Sequence, residues 1–333
     1  MPGSSRRPGL KKTRKIQLTR KTIAMSKQLM ECVPNFSEGR RPEVIEAIVE
    51  PFRKGRGIAL LDYRADRDHN RLVASLAGSP EALEYALIEA SKVAVANIDL
   101  ERHQGGHPRI GAVDVIPFVP LQNTTLEECV TVARRFGTRF YEETGVPVYF
   151  YEAAALRPER RDLEVIRRGQ FEALKTEVVR PERHPDIGEP GLHASAGATV
   201  IGARKFLIAF NVNLGTGDVK IAGEISKAVR RSSGGLCHVK GIGLALQDRG
   251  LVQVSMNIVD YEKNALYRVV ELIRMEARRW GVPVVETEVY GMLPAAALLD
   301  SIAYYMQIAG FNPGQVIELK LLEMLGEDPG DDA

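Results

Sequence analysis

The sequence predicts an α+β fold built from two ferredoxin-like (β-α-β-β-α-β) subdomains. Three observations carry that prediction. Short apolar runs alternate with stretches whose apolar residues recur at helical spacing. The order strand-helix-strand-strand-helix-strand occurs once in each half of the chain. Matching slots also hold like residues: Asn35-Phe36 and Phe210-Asn211 lie at corresponding first strands, and 82–97 and 264–280 are the corresponding long helices.

The first strand spans 31–36 and ends at the turn Ser37-Glu38-Gly39. Val44, Ile45, Ile48, Val49 and Phe52 share one face of a helix over 42–54. Strands at 58–61 and 71–76 flank the charged run Asp62 to Asn70, which reads as a hairpin loop. Ser79 suits an N-cap and Pro80 the first turn of a helix that runs to about residue 98. A strand over 110–121, a helix over 125–144 and a strand over 146–151 complete the first half. The stretch 152–203 has four prolines, many charges and one helical piece at 163–178, and reads as a connection. In the second half, strand 206–213, helix 218–231, a hairpin of 239–246 with 251–258, helix 264–280, strand 282–290 and helix 295–309 follow. The boundaries expected are a basic, disordered extension over 1–30 and subdomains over 31–203 and 204–328.

With 333 residues, 44% hydrophobic and 26% charged, the composition is that of an ordinary soluble protein. No segment is apolar enough for a membrane span. The net charge of +2 conceals an asymmetry. Residues 1–30 hold nine Lys/Arg and no acid, leaving 36 basic against 43 acidic residues in the body. A nucleic-acid partner would rest on that arm alone, and is not expected. Three scattered cysteines argue for a reducing, cytoplasmic setting.

The loop His103-Gln104-Gly105-Gly106-His107-Pro108-Arg109 concentrates chemistry ahead of a strand. Two histidines four apart share a face on a helix, as zinc ligands do, but the glycines and Pro108 disfavour a helix, so no metal is expected. Pro108 fixes the backbone direction at His107, and Gly105-Gly106 allow another molecule to approach closely. The run 62–71 is by default a solvated loop; its functional reading sets Asp66, Asp68, Asn70 and Arg71 on a cleft. Gly188-Glu189-Pro190-Gly191-Leu192-His193-Ala194-Ser195-Ala196-Gly197 is either a connector or a ligand loop with room for a flat ring. Gly241-Ile242-Gly243 lacks the rest of a dinucleotide fingerprint, and neither a phosphate loop nor a serine elbow occurs, so no nucleotide is expected.

Three segments together resemble the formimidoyltransferase family: Glu31-Cys32-Val33-Pro34-Asn35-Phe36-Ser37-Glu38-Gly39, His107-Pro108-Arg109-Ile110-Gly111-Ala112-Val113-Asp114 continuing to Phe118, and Gly202-Ala203-Arg204-Lys205-Phe206-Leu207-Ile208-Ala209-Phe210-Asn211. The resemblance runs from about residue 31 into the 320s. It implies transfer of the formimino group from N-formimino-L-glutamate to nitrogen 5 of tetrahydrofolate, in histidine breakdown. It further implies a cleft between the two subdomains, a homodimer, a catalytic histidine at His107 and a folate-binding loop at Gly188 to Gly197. Relatives are acid-rich across the segment matching 62–68, and Arg64 interrupts that pattern here.

The reaction asks for a group that takes a proton from the attacking amine and supplies one to the departing amine; histidine titrates in the right range. A protonated formimino group is a cation, which favours a nearby carboxylate: Asp68 is the first expectation, with Asp66 and Asp114 behind it. Two substrate carboxylates suit arginine, with Arg109 and Arg71 first and Arg204 next. Asn35 and Asn70 complete the expected substrate contacts. Alternatives are a related transferase using formylglutamate or formiminoglycine, or a non-catalytic folate-binding module.

Overall fold

A computed structural model describes residues 28–326. Most of the expected basic extension, 1–27, and residues 327–328 lie outside them. The chain order is β1 (Leu29–Cys32), β2 (Asn35–Phe36), α1 (Pro42–Lys54), β3 (Ile58–Asp66), β4 (Arg71–Gly78), α2 (Pro80–Asn97), β5 (Val113–Gln122), α3 (Leu126–Thr144), β6 (Val148–Glu152), α4 (Leu163–Ile166), α5 (Gln170–Glu177) and β7 (Thr199–Ala203). The second half contains β8 (Ile208–Leu214), α6 (Val219–Val229), β9 (Val239–Leu246), β10 (Leu251–Ile258), α7 (Leu266–Arg279), β11 (Val284–Tyr290), α8 (Ala295–Met306) and α9 (Ile317–Gly326).

Two sheets result. In the first, β1 and β2 are two pieces of one strand, both lying between β4 and β5. Pro34 interrupts them because it has no N–H for the ladder. β3 borders β4, and β7 and β6 extend the other edge in parallel with β5. The second sheet is antiparallel, in the order β11-β8-β10-β9. Its element order is the β-α-β-β-α-β series expected for that half.

Three local expectations change. The charged run 62–66 is strand rather than loop: β3 continues through Asp66, paired with β4. Asp62, Arg64 and Asp66 alternate along it, which puts them on one face. The helical piece 163–178 is split, because Gly169 (φ 76°) and Gln170 (φ 58°) take left-handed backbone. The connection also contains β7, a fully buried parallel strand whose apolar residues follow a glycine- and proline-rich run.

α1, α2 and α3 cover one face of the first sheet, with Ile48, Phe52, Leu83, Leu87, Phe136 and Phe140 fully buried beneath them. α2 is entered as expected, with the Ser79 hydroxyl accepting from the Ala82 N–H. A smaller cluster, including Ile166 and Leu174, covers the opposite face over β7 and β6. The rest of that face, over β3, β4, β1/β2 and β5, is not covered by helices, and the second half of the chain stands over it. Among the described residues, no helix is long and apolar enough to cross a membrane.

Candidate active site

Between the two sheets lies a cleft of about 670 Å³, within the range of small-molecule sites. Its floor comes from alternate residues of the first sheet: Glu31, Val33 and Asn35, then Asp62, Arg64 and Asp66, then Arg71, Val73 and Ser75, with Val115 and Pro117. Its roof includes Phe206, Leu207, Ala209, Lys240, Asn257, Val259, Tyr290 and Met292. The halves touch across it. Lys240 Nζ pairs with Asp162 (3.0 Å) and Glu164 (3.2 Å), and the Arg64 guanidinium lies 5.1 Å from the Tyr290 ring centre.

At one end two loops clasp each other. The Asp66 carboxylate accepts from the backbone N–H groups of Asp68 (2.9 Å) and His69 (2.8 Å), which forms the tight turn between β3 and β4. Asn70 closes that turn in left-handed backbone (φ 50°), a conformation asparagine tolerates. Its side chain accepts from the Gly39 N–H and donates to the Gln104 carbonyl, while its own carbonyl meets His103 Nε2 at 3.0 Å. The Gly106 N–H donates to the Asp68 carbonyl. A Cβ on Gly105 would stand 2.3 Å from the His69 carbonyl oxygen. The close approach that Gly105 permits is therefore to the protein's own turn. It brings His107 beside His69, with ring centres 6.4 Å apart. Gly105→Ala is expected to push the loops apart and lower kcat about 10²-fold, since a displacement near 1 Å can cost that much. Steady-state kinetics with a circular dichroism control checks this.

His107 lines the cleft on the same side as Arg71, Arg167 and Asp114. Burial, reinforced by the positive charges of Arg71 and Arg167 and opposed by Asp114, pulls its imidazole down to about 4. It is thus neutral at physiological pH. Burial likewise lowers His103. Asp114 is buried, accepts from the Ile110 N–H at 2.9 Å and pairs with Arg167. Arg71, half-buried, differs from the buried Arg109 and Arg160. Its guanidinium has no hydrogen-bond or ion-pair partner among the described residues, and its buried Nε is unmatched. Burial, with Arg167 nearby, lowers it to about 10, so it remains charged.

The remaining expected residues separate into three groups. Asn35 faces the cleft: its amide donates to the Val33 carbonyl, and its buried Oδ1 has no partner among the described residues. Arg109 does not face it with a free donor. All five of its N–H groups are used, on His103 Nδ1, the His103 carbonyl, Gln170 and both oxygens of Glu172. Asn70 is similarly occupied in holding the two loops. Asp68 is exposed on the turn and does not line the cleft; Asp66, two residues earlier, does.

The glycine-rich loop Gly188 to Gly197 does not line the cleft either. Its backbone is turned inward. Ser195 and Ala196 carbonyls accept from Leu100 and Ala112, and His193 and Gly197 exchange backbone hydrogen bonds. It braces the chain just after His107-Pro108-Arg109. Sequence reasoning missed Arg167, which sits just past α4 with its Nε buried and unmatched. It lies in a charge-rich stretch with no periodicity to single it out. Glu31, Tyr151 and Glu152 on the cleft wall were missed too, being ordinary strand residues in sequence. Burial raises the carboxyls of Glu31 and Glu152 above their usual range.

Comparison with known proteins agrees with this architecture. The family model described as formiminotransferase domain, N-terminal subdomain, matches residues 29–204, and the model described as formiminotransferase domain matches 209–320. The glutamate formimidoyltransferase of Streptococcus pyogenes serotype M1 is 44% identical over 296 residues, covering 89% of this chain and 99% of that one. That of Thermoplasma acidophilum is 45% identical over 295 residues, covering 88% and 97%. The formimidoyltransferase-cyclodeaminase of Mus musculus is 44% identical over 284 residues, which span 84% of this chain and 52% of the longer mouse protein.

Proposed function

The chain belongs to the formiminotransferase family, and on that premise we propose that its inter-sheet cleft carries formimino transfer from N-formimino-L-glutamate to nitrogen 5 of tetrahydrofolate. It is a one-carbon transferase of histidine degradation. The observation that carries the site assignment is a neutral His107 beside an unpartnered Arg71 on the same wall.

The residues fit both substrates. Arg71 presents free donors for a carboxylate of formiminoglutamate, and Arg167 Nε adds another. Val33, Val73, Val115 and Pro117 on the floor and Phe206, Leu207 and Val259 above form apolar walls suited to the flat pteridine of tetrahydrofolate. Asn35 Oδ1 is an acceptor waiting on that floor. His107 takes the proton from the attacking amine. Asp66 supplies the negative charge that a protonated formimino carbon favours, and it stays ionised because the His69 N–H and then the His69 ring hold its carboxyl below the usual range. Asp66 therefore takes the carboxylate role first expected of Asp68. Arg109, Asn70 and the 188–197 loop act by positioning the His107 segment.

Two ferredoxin-like subdomains meet near residue 204, supported in the second half by the order β11-β8-β10-β9. A cytoplasmic homodimer accords with three free cysteines and with the exposed Ile302, Tyr305, Met306 and Ile317 on the last two helices. Mixing the purified protein with tetrahydrofolate and formiminoglutamate tests the activity directly. The expected result is 5-formiminotetrahydrofolate and free glutamate. Binding of folate without turnover would instead favour a non-catalytic module.

A further inference from the structure

Formimino transfer moves a proton at each of two nitrogens, one arriving at the reacting carbon and one leaving it. His107, neutral to low pH, suits the arriving amine as a base. The departing glutamate nitrogen needs a donor, and a second imidazole stands opposite. His69 lines the same cleft, with its ring 6.4 Å from that of His107 and inclined at 66°. Its Nδ1 lies 3.0 Å from Asp66 Oδ2, while Oδ1 of the same carboxylate binds the His69 backbone N–H. One carboxylate thus holds both the backbone and the ring of His69. With Nδ1–H directed at Asp66, Nε2 is the nitrogen left to serve the cleft. The ring is also half open to solvent, so it can be recharged with a proton after each turnover.

Resting on the transfer reading above, we propose that His69 is a second catalytic residue, the general acid for the departing amine, oriented by Asp66. A bond from N5 to the formimino carbon forms as the C=N pair moves onto the terminal nitrogen, and His107 takes the N5 proton. The terminal nitrogen's pair then re-forms C=N, and the bond from carbon to the glutamate nitrogen breaks. That bond's electron pair accepts the proton from His69 Nε2. His107, now protonated, and His69, now neutral, return to their starting states by proton exchange through solvent.

The test compares two formimino donors in wild type and His69→Gln. One is formiminoglutamate; the other is N-formimino-4-aminobenzoate, whose leaving nitrogen is a weakly basic aniline that departs with less need of an acid. The expected result for His69→Gln is a kcat loss of about 10²-fold with formiminoglutamate and a much smaller loss with the aniline donor. KM for formiminoglutamate should move only slightly. Asp66→Asn removes both the charge at the formimino carbon and the anchor of the His69 ring, so it should lower kcat with both donors, and more with formiminoglutamate. His107→Ala should lose both donors alike. An equal loss on the two donors in His69→Gln, or no loss with formiminoglutamate, overturns the assignment. Wild-type turnover of formiminoglutamate, measured first, separates the two readings. Its absence overturns the transfer reading and this one with it, whereas its presence with an indifferent His69→Gln overturns only the role of His69.

Discussion

Replacing His107 by alanine is expected to lower kcat about 10²–10⁴-fold while formiminoglutamate and folate still bind, because the ring's contribution lies in proton transfer. Stopped-flow or steady-state assays of the His107→Ala protein measure this, and turnover within a few-fold of wild type would remove the ring from the mechanism. The ring's environment adds a pH signature. A base works when unprotonated, and burial, Arg71 and Arg167 pull this one down to about 4. The acid limb of kcat/KM, which reports the free enzyme, should therefore fall near pH 4 rather than near the ordinary histidine value of about 6.5. The same shift affects folding. Between pH about 6.5 and 4 the unfolded chain gains a proton at this residue that the folded chain refuses, so the residue's stabilising contribution is lost as pH falls through that window.

The second large effect is on binding. Arg71→Ala should raise KM for formiminoglutamate about 10- to 100-fold, since a charge-assisted hydrogen bond contributes about 1.5–3 kcal/mol. The change in kcat should be smaller. Arg71→Lys should recover only part of the loss, because an ammonium lacks the two-pronged fit to a carboxylate. Arg109→Ala should behave differently. It leaves Glu172 and His103 without their partner, and the expected outcome is a drop in thermal stability together with kcat, rather than a selective rise in KM. A clean KM effect from Arg109→Ala and none from Arg71→Ala would reverse the two assignments.

The contrast between these arginines shows where sequence stopped being informative. Both sit close to a histidine in sequence, and residue type alone put them level, ahead of Arg204. Only the fold reveals that Glu172, from the connecting stretch, reaches back to engage Arg109 fully, while no described residue reaches Arg71. The carboxylates follow the same logic. Asp66 and Asp68 look equivalent in a charged run until the strand is seen to continue through Asp66, which points it to the cleft and carries Asp68 out onto the turn. The repeated element order was visible because helix and strand periodicities are local. β7 was not, because a short buried parallel strand has no alternation and followed a run rich in glycine and proline. The 188–197 loop has the composition of a ligand loop; within it Gly188 and Gly197 take left-handed backbone, Gly197 packs closely against the Ile110 carbonyl, and Gly191 stands in open space.

The central claim is that the exchange takes place between the two sheets, at His107. A crystal structure with a tetrahydrofolate analogue bound is the most direct measurement. The pteridine is expected between the sheets, with N5 at hydrogen-bond reach of the His107 ring, about 2.6–3.2 Å. A pteridine seated on the 188–197 loop, with its N5 remote from that imidazole, would contradict the claim.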